Sequence, residues 1–119
     1  MIASMKWPLA LAAIGEAATG AALLIVPSSV GELLLGEALT GMANAVARVA
    51  GTALIALAVA CWRNSPLLGM LTYSAVVTLY LAYLGLVGGF TGVLLWPAVA
   101  AHGVLSVFLG RMWLSTEVR

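Results

Sequence analysis

Four long apolar stretches, parted by short polar or glycine-rich breaks, organise this chain: about residues 7–26, 42–62, 67–87 and 92–114. Each holds roughly 20 residues or more. At about 1.5 Å rise per residue, a helix of that length crosses a hydrocarbon layer about 30 Å thick. Proline punctuates them. Pro8 and Pro66 fall in or beside first turns, where a missing N–H costs nothing, and Pro27 ends the first stretch. Pro97 lies just inside the fourth, which predicts a kink or a helix start there. Within each stretch the polar and small residues share one helical face, and Leu, Val and Ile fill the other. The pattern predicts an all-α, antiparallel up-down bundle of four transmembrane helices in a single domain, residues 1–119.

The breaks are unequal. Asn64 and Ser65 form a tight turn, and Gly88, Gly89, Phe90 and Thr91 form another, so both join antiparallel neighbours. The connection from Ser28 to Gly41 is longer. Ser29-Val30-Gly31-Glu32 fits a capping box, with the hydroxyl and the carboxylate covering free N–H groups at a helix start. The apolar run Leu33-Leu34-Leu35 then predicts a short interfacial helix; a plain apolar loop packed on the bundle is the alternative. No internal repeat is evident, since the two hairpins differ in loops and polar residues.

Composition agrees with the pattern. Of 119 residues 64% are hydrophobic and 8% charged, against about 25% charged in a soluble domain. The mean hydropathy is +1.16. A net charge of +1 without a basic patch gives no reason to expect a nucleic-acid partner. Lys6, Arg63, Arg111 and Arg119 fall on one side of the predicted spans, and Glu32 and Glu37 on the other. The positive-inside rule therefore puts both termini in the cytoplasm, in an inner or plasma membrane, with Trp7, Trp62 and Trp113 at the inner interface and Trp96 at the outer one. Lys6 before an apolar run resembles a signal peptide. The run is longer than usual, contains Glu16 and lacks a cleavage site, so it reads as a retained helix. Cys61 is the single cysteine, which excludes an internal disulfide and a CxxC site.

Candidate chemistry sits inside the spans. A charge at the bilayer centre costs roughly 2.5–3.5 kcal/mol on insertion scales, so Glu16 must be neutral, paired or in a wet interior. Counted from the outer helix ends, Arg48 lies about 10 Å deep, Tyr80 about 12 Å, His102 about 15 Å and Glu16 about 16 Å. Four residues from four helices at similar depth predict one polar layer. Asn44, Arg48 and Thr52 form a stripe, and Ala98, His102 and Ser106 align on the fourth helix. Two readings follow: a Glu16–Arg48 ion pair that docks helices, or a site formed by Glu16, Arg48, Tyr80, His102 and Asn44 that binds a polar headgroup or moves a proton. No second histidine or cysteine pair supports a metal, and no catalytic triad or paired carboxylate appears. No catalytic residue is assigned, and enzymatic activity stays open.

The stretch Ala47-Arg48-Val49-Ala50-Gly51, with the helix ending Cys61-Trp62-Arg63-Asn64, resembles the second helix of DoxX-like membrane proteins. The Pro27 break and long outer loop are similar to that layout. The resemblance implies a small accessory or binding subunit; family members are associated with quinone-linked sulfur oxidation or redox-stress complexes, and Arg48 alone carries over. A pocket of Glu16, Arg48, Tyr80 and His102 would suit a quinone, lipid or similar small amphiphile, and no cofactor is assigned. Redox activity would require a membrane or redox partner subunit, since the chain has no evident redox ligand set of its own; homo-oligomers are also compatible. The segment Leu9-Ala10-Leu11-Ala12-Ala13-Ile14-Gly15-Glu16-Ala17 also resembles the first helix of small multidrug resistance transporters, where one Glu exchanges a proton for a cation. Arg48, the long first loop and the one-sided Lys/Arg bias depart from that family. The alternatives are therefore a proton-coupled transporter using Glu16 and a structural subunit locked by Glu16–Arg48.

Overall fold

The computed structural model describes residues 7–118. Five helices follow in order: α1 (Trp7–Ile25), α2 (Pro27–Leu35), α3 (Met42–Arg63), α4 (Pro66–Leu86) and α5 (Leu95–Val118). Four of them, α1, α3, α4 and α5, contain stretches long and apolar enough to cross a membrane. They gather into two compact units, one up to Pro66 and one from Leu67 onward.

The helix boundaries follow local chemistry. Pro27 is the first residue of α2, because its fixed φ suits a helix start and its absent N–H would have no partner there. The predicted capping box does not form. The N-cap is Val26 without a side-chain hydrogen bond, and Ser29 is already inside the helix that Pro27 starts two residues earlier. At the other end Gly36, at φ 85°, donates its N–H to the Glu32 carbonyl and stops the helix. Asn64 takes the left-handed turn after α3 at φ 49°. Its N–H reaches Cys61 O at 3.4 Å and that of Ser65 reaches Ala60 O at 2.9 Å, a Schellman closure. Pro97 causes no internal break, since α5 begins at Leu95 and the proline lies in its first turn. The stretch between α4 and α5 covers residues 87–94, longer than the predicted four-residue turn.

In the first unit α1 and α3 meet through glycine. A Cβ on Gly20 would lie 2.6 Å from the Gly51 carbonyl oxygen, and one on Gly51 would lie 2.7 Å from that of Gly20. Two backbones touch here because neither residue has a side chain to hold them apart. Leu24, one turn beyond Gly20, consequently faces Arg48, about one turn before Gly51. Gly31 of α2 packs against Leu39 and the Glu37 carbonyl, folding the connection onto α2. In the second unit α4 and α5 meet where the Trp96 ring lies over Gly85 and where Thr78 approaches Gly103.

Small residues dominate the interior: Ala13, Ala56, Ala58, Gly20, Gly51, Thr52 and Ser74 are buried, alongside Val77 and Leu84. Long apolar side chains point outward instead, including Leu11, Ile14, Leu79, Val107 and Phe108. Water-soluble domains do the reverse and rarely expose so much contiguous apolar surface.

Candidate functional site

Arg48 sits on α3 and is half-buried. Its Nε donates to the Leu24 carbonyl oxygen of α1 at 3.0 Å. That carbonyl belongs to the last turn of α1, where C=O groups have no intrahelical partner and carry partial negative charge, so a cation there is stabilising. The bond is local in origin: the Gly20–Gly51 contact brings α1 close enough for the side chain to reach. The remaining N–H groups of the guanidinium have no hydrogen-bond or ion-pair partner among the described residues. Neither Nη atom is among the buried atoms without a partner, so both are accessible.

Asn44, one turn before Arg48 on α3, ties down the connection instead. Its Nδ2 donates to the Leu39 carbonyl at 3.1 Å, while Oδ1 is buried without a partner. Arg48 and Asn44 thus hold the end of α1 and the loop that packs on α2. Thr52, 3% exposed, donates to the Arg48 carbonyl at 3.0 Å and completes the stripe read from the sequence.

Glu16 lies elsewhere on α1. It is half-buried, and among the described residues it has neither a hydrogen bond nor an ion pair. It precedes Leu24 by eight residues, about 12 Å of helix rise. Arg48 extends toward the end of α1, so no Glu16–Arg48 ion pair forms. Depth counted along helices missed this, because an arginine head can sit about a turn or more from its own Cα.

His102 and Tyr80 belong to the second unit. The His102 Nδ1 is 2.9 Å from the Ala98 carbonyl, which can only accept, so Nδ1 carries the proton and Nε2 is left with a free lone pair in the neutral ring. Tyr73, not Tyr80, meets the imidazole: the ring centroids are 6.0 Å apart at 65°, an edge-on contact. Tyr80 stacks with Tyr83 at 6.4 Å. Tyr73 shares a helical face with Tyr80, the one signal that could have named it. Ser74 was not singled out by its sequence position, yet it is 1% exposed and its Oγ has no partner.

Among the described residues no three His, Cys, Asp or Glu side chains come together as a metal site. Cys61 is a free, half-buried thiol. An open concavity of about 510 Å³ runs along α5 beside Phe108, Arg111, Met112, Ser115 and Thr116. Comparison with known proteins finds no matching family model, no matching curated protein and no matching solved structure. The side chains themselves therefore carry the functional reading.

Proposed function

We propose that this chain is a small integral membrane protein that holds the polar head of an amphiphile at Arg48, acting as a binding or accessory subunit. In this reading α1, α3, α4 and α5 cross a cytoplasmic membrane as an up-down bundle, α2 lies at its outer face, and both termini are cytoplasmic. The outward-facing Leu, Val, Ile and Phe side chains suit hydrocarbon as solvent. The one-sided distribution of Lys6, Arg63, Arg111 and Arg119 supports the orientation.

The carrying observation is Arg48, a planar guanidinium on a span-length helix with one N–H bonded and its Nη donors accessible. A carbonyl, carboxylate or phosphate oxygen from a quinone or lipid would fill those donors. The DoxX-like resemblance around Arg48 points to the same class of ligand, and redox chemistry would need a partner subunit. The test is thermal stability of the purified protein against quinones, lipids and lipophilic cations. Stabilisation by a quinone or lipid that disappears in Arg48→Gln supports the reading, and stabilisation that ignores the substitution sinks it.

A second reading rests on Glu16. An unpaired carboxylate in a span-length helix suits exchange of a proton for a cation. Cation-dependent stabilisation that vanishes in Glu16→Gln and survives Arg48→Gln would favour this transporter reading over the first.

A further inference from the structure

We propose that the occupant of Arg48 is a phospholipid, its phosphate held by the guanidinium and its acyl chain lying along α2; this rests on the amphiphile reading above. The hydrogen bond to Leu24 fixes the height of the guanidinium. Leu24 is the next-to-last residue of α1, so the charged group sits where a span-length helix ends and lipid headgroups begin. Its Nη atoms are accessible and unpartnered.

Two features choose a phospholipid over a quinone. A planar guanidinium offers parallel N–H donors that match two oxygens of one phosphate, and a phosphate diester neutralises the positive charge. A quinone carbonyl accepts a hydrogen bond and leaves the charge uncompensated. The second feature is apolar. Leu33, Leu34 and Leu35 are 88%, 71% and 79% exposed, and Ile25, at the same end of α1, is 73% exposed. Gly31 packed on Leu39, with Leu39 held by Asn44, fastens the end of α2 that carries these leucines to the helix that carries Arg48. A cation at the end of α1 and exposed leucines at the end of α2, the next helix, together complement a phosphate joined to an acyl chain. Glu32 and Glu37 are exposed on the same connection and disfavour a headgroup with extra negative charge, so a zwitterionic lipid fits better than a polyanionic one.

The test uses delipidated full-length protein in detergent, with binding read by native mass spectrometry and by the melting temperature. The probes are phosphatidylethanolamine, diacylglycerol with the same acyl chains, soluble glycerophosphoethanolamine and a short-chain quinone. Arg48→Gln keeps an N–H donor for Leu24 and removes the charge. Phosphatidylethanolamine should bind about 10-fold or more tightly than diacylglycerol, about 1.4 kcal/mol, and Arg48→Gln should erase that margin. Should Arg48→Gln fail to fold, Leu33→Gln/Leu34→Gln alters only exposed side chains, keeps helix propensity close to that of leucine, and should weaken phosphatidylethanolamine while leaving the melting temperature of the free protein unchanged. Equal binding of both lipids, or lipid binding that ignores both variants, overturns the proposal as general solvation by lipid. Equal binding of the soluble headgroup would make free phosphate esters the ligand and overturn it too. Quinone binding that needs Arg48, without phospholipid binding, overturns this inference and leaves the amphiphile reading standing.

Discussion

Replacing Gly51 by alanine should separate α1 from α3 and break the Arg48 contact with the same movement. The added Cβ would lie 2.7 Å from the Gly20 carbonyl oxygen, 2.9 Å from the Leu23 Cβ and 3.2 Å from the Leu24 backbone nitrogen. Two of those neighbours are backbone atoms, which cannot turn aside as a side-chain tip can. Restoring an ordinary contact near 3.4 Å requires the helices to part by roughly 0.7 Å. The same displacement would stretch the Arg48–Leu24 hydrogen bond from 3.0 Å to roughly 3.7 Å, beyond useful range. Overpacking costs about 1–3 kcal/mol, and loss of a hydrogen bond at a half-buried side chain adds about 1 kcal/mol. A total destabilisation of about 2–4 kcal/mol is expected. Equilibrium unfolding in mixed micelles measures it, with Gly15→Ala as control, since a Cβ at Gly15 meets nothing within 4 Å. The control should be neutral or stabilising by up to about 1 kcal/mol through helix propensity. Equal stability of Gly51→Ala and Gly15→Ala would refute the close backbone contact and the placement of Arg48 that depends on it.

Glu16→Gln and Arg48→Gln should combine additively. The absence of an ion pair predicts a coupling energy within about 0.5 kcal/mol in a double-mutant cycle, and a coupling of several times that would restore the helix-docking pair. Arg48→Met removes the donor that Arg48→Gln retains, so thermal unfolding should find the Met variant less stable by about 1 kcal/mol. Nitrogen NMR of the neutral His102 ring should find the proton on Nδ1, because the Ala98 carbonyl accepts it; a proton on Nε2 would contradict the hydrogen bond. Tyr73→Leu should perturb the His102 ring resonances while Tyr80→Leu leaves them unchanged, and the opposite pattern would reverse the assignment of ring partners.

The span-length helices were legible in the sequence because their signal is local: apolar length, proline at starts and small residues on one face. Pro27, Asn64 and Pro66 mark boundaries for backbone reasons that need no tertiary context. The capping box at Ser29 failed for an equally local reason, since Pro27 starts the helix earlier. Site geometry was harder to read. Helical rise gives the height of each Cα, and the Gly20–Gly51 contact could be anticipated only as small residues at a helix face. Where the Arg48 head goes depends on which backbone lies opposite, and Leu24 carries no signal because its acceptor is a main-chain carbonyl. The same limit separated Tyr73 from Tyr80. Both lie on one face of α4, and the position of His102 across from that face decides between them.

The most direct test of the central claim is a solid-state NMR distance between the Arg48 guanidinium nitrogens and lipid phosphorus in a phosphatidylethanolamine bilayer. It is read as the difference between arginine-labelled wild type and Arg48→Gln. A headgroup held by the Nη donors predicts a nitrogen–phosphorus separation within about 4 Å, the span of a charge-assisted hydrogen bond plus one P–O bond. No phosphorus contact, or close contact with a protein carboxylate carbon instead, would contradict it.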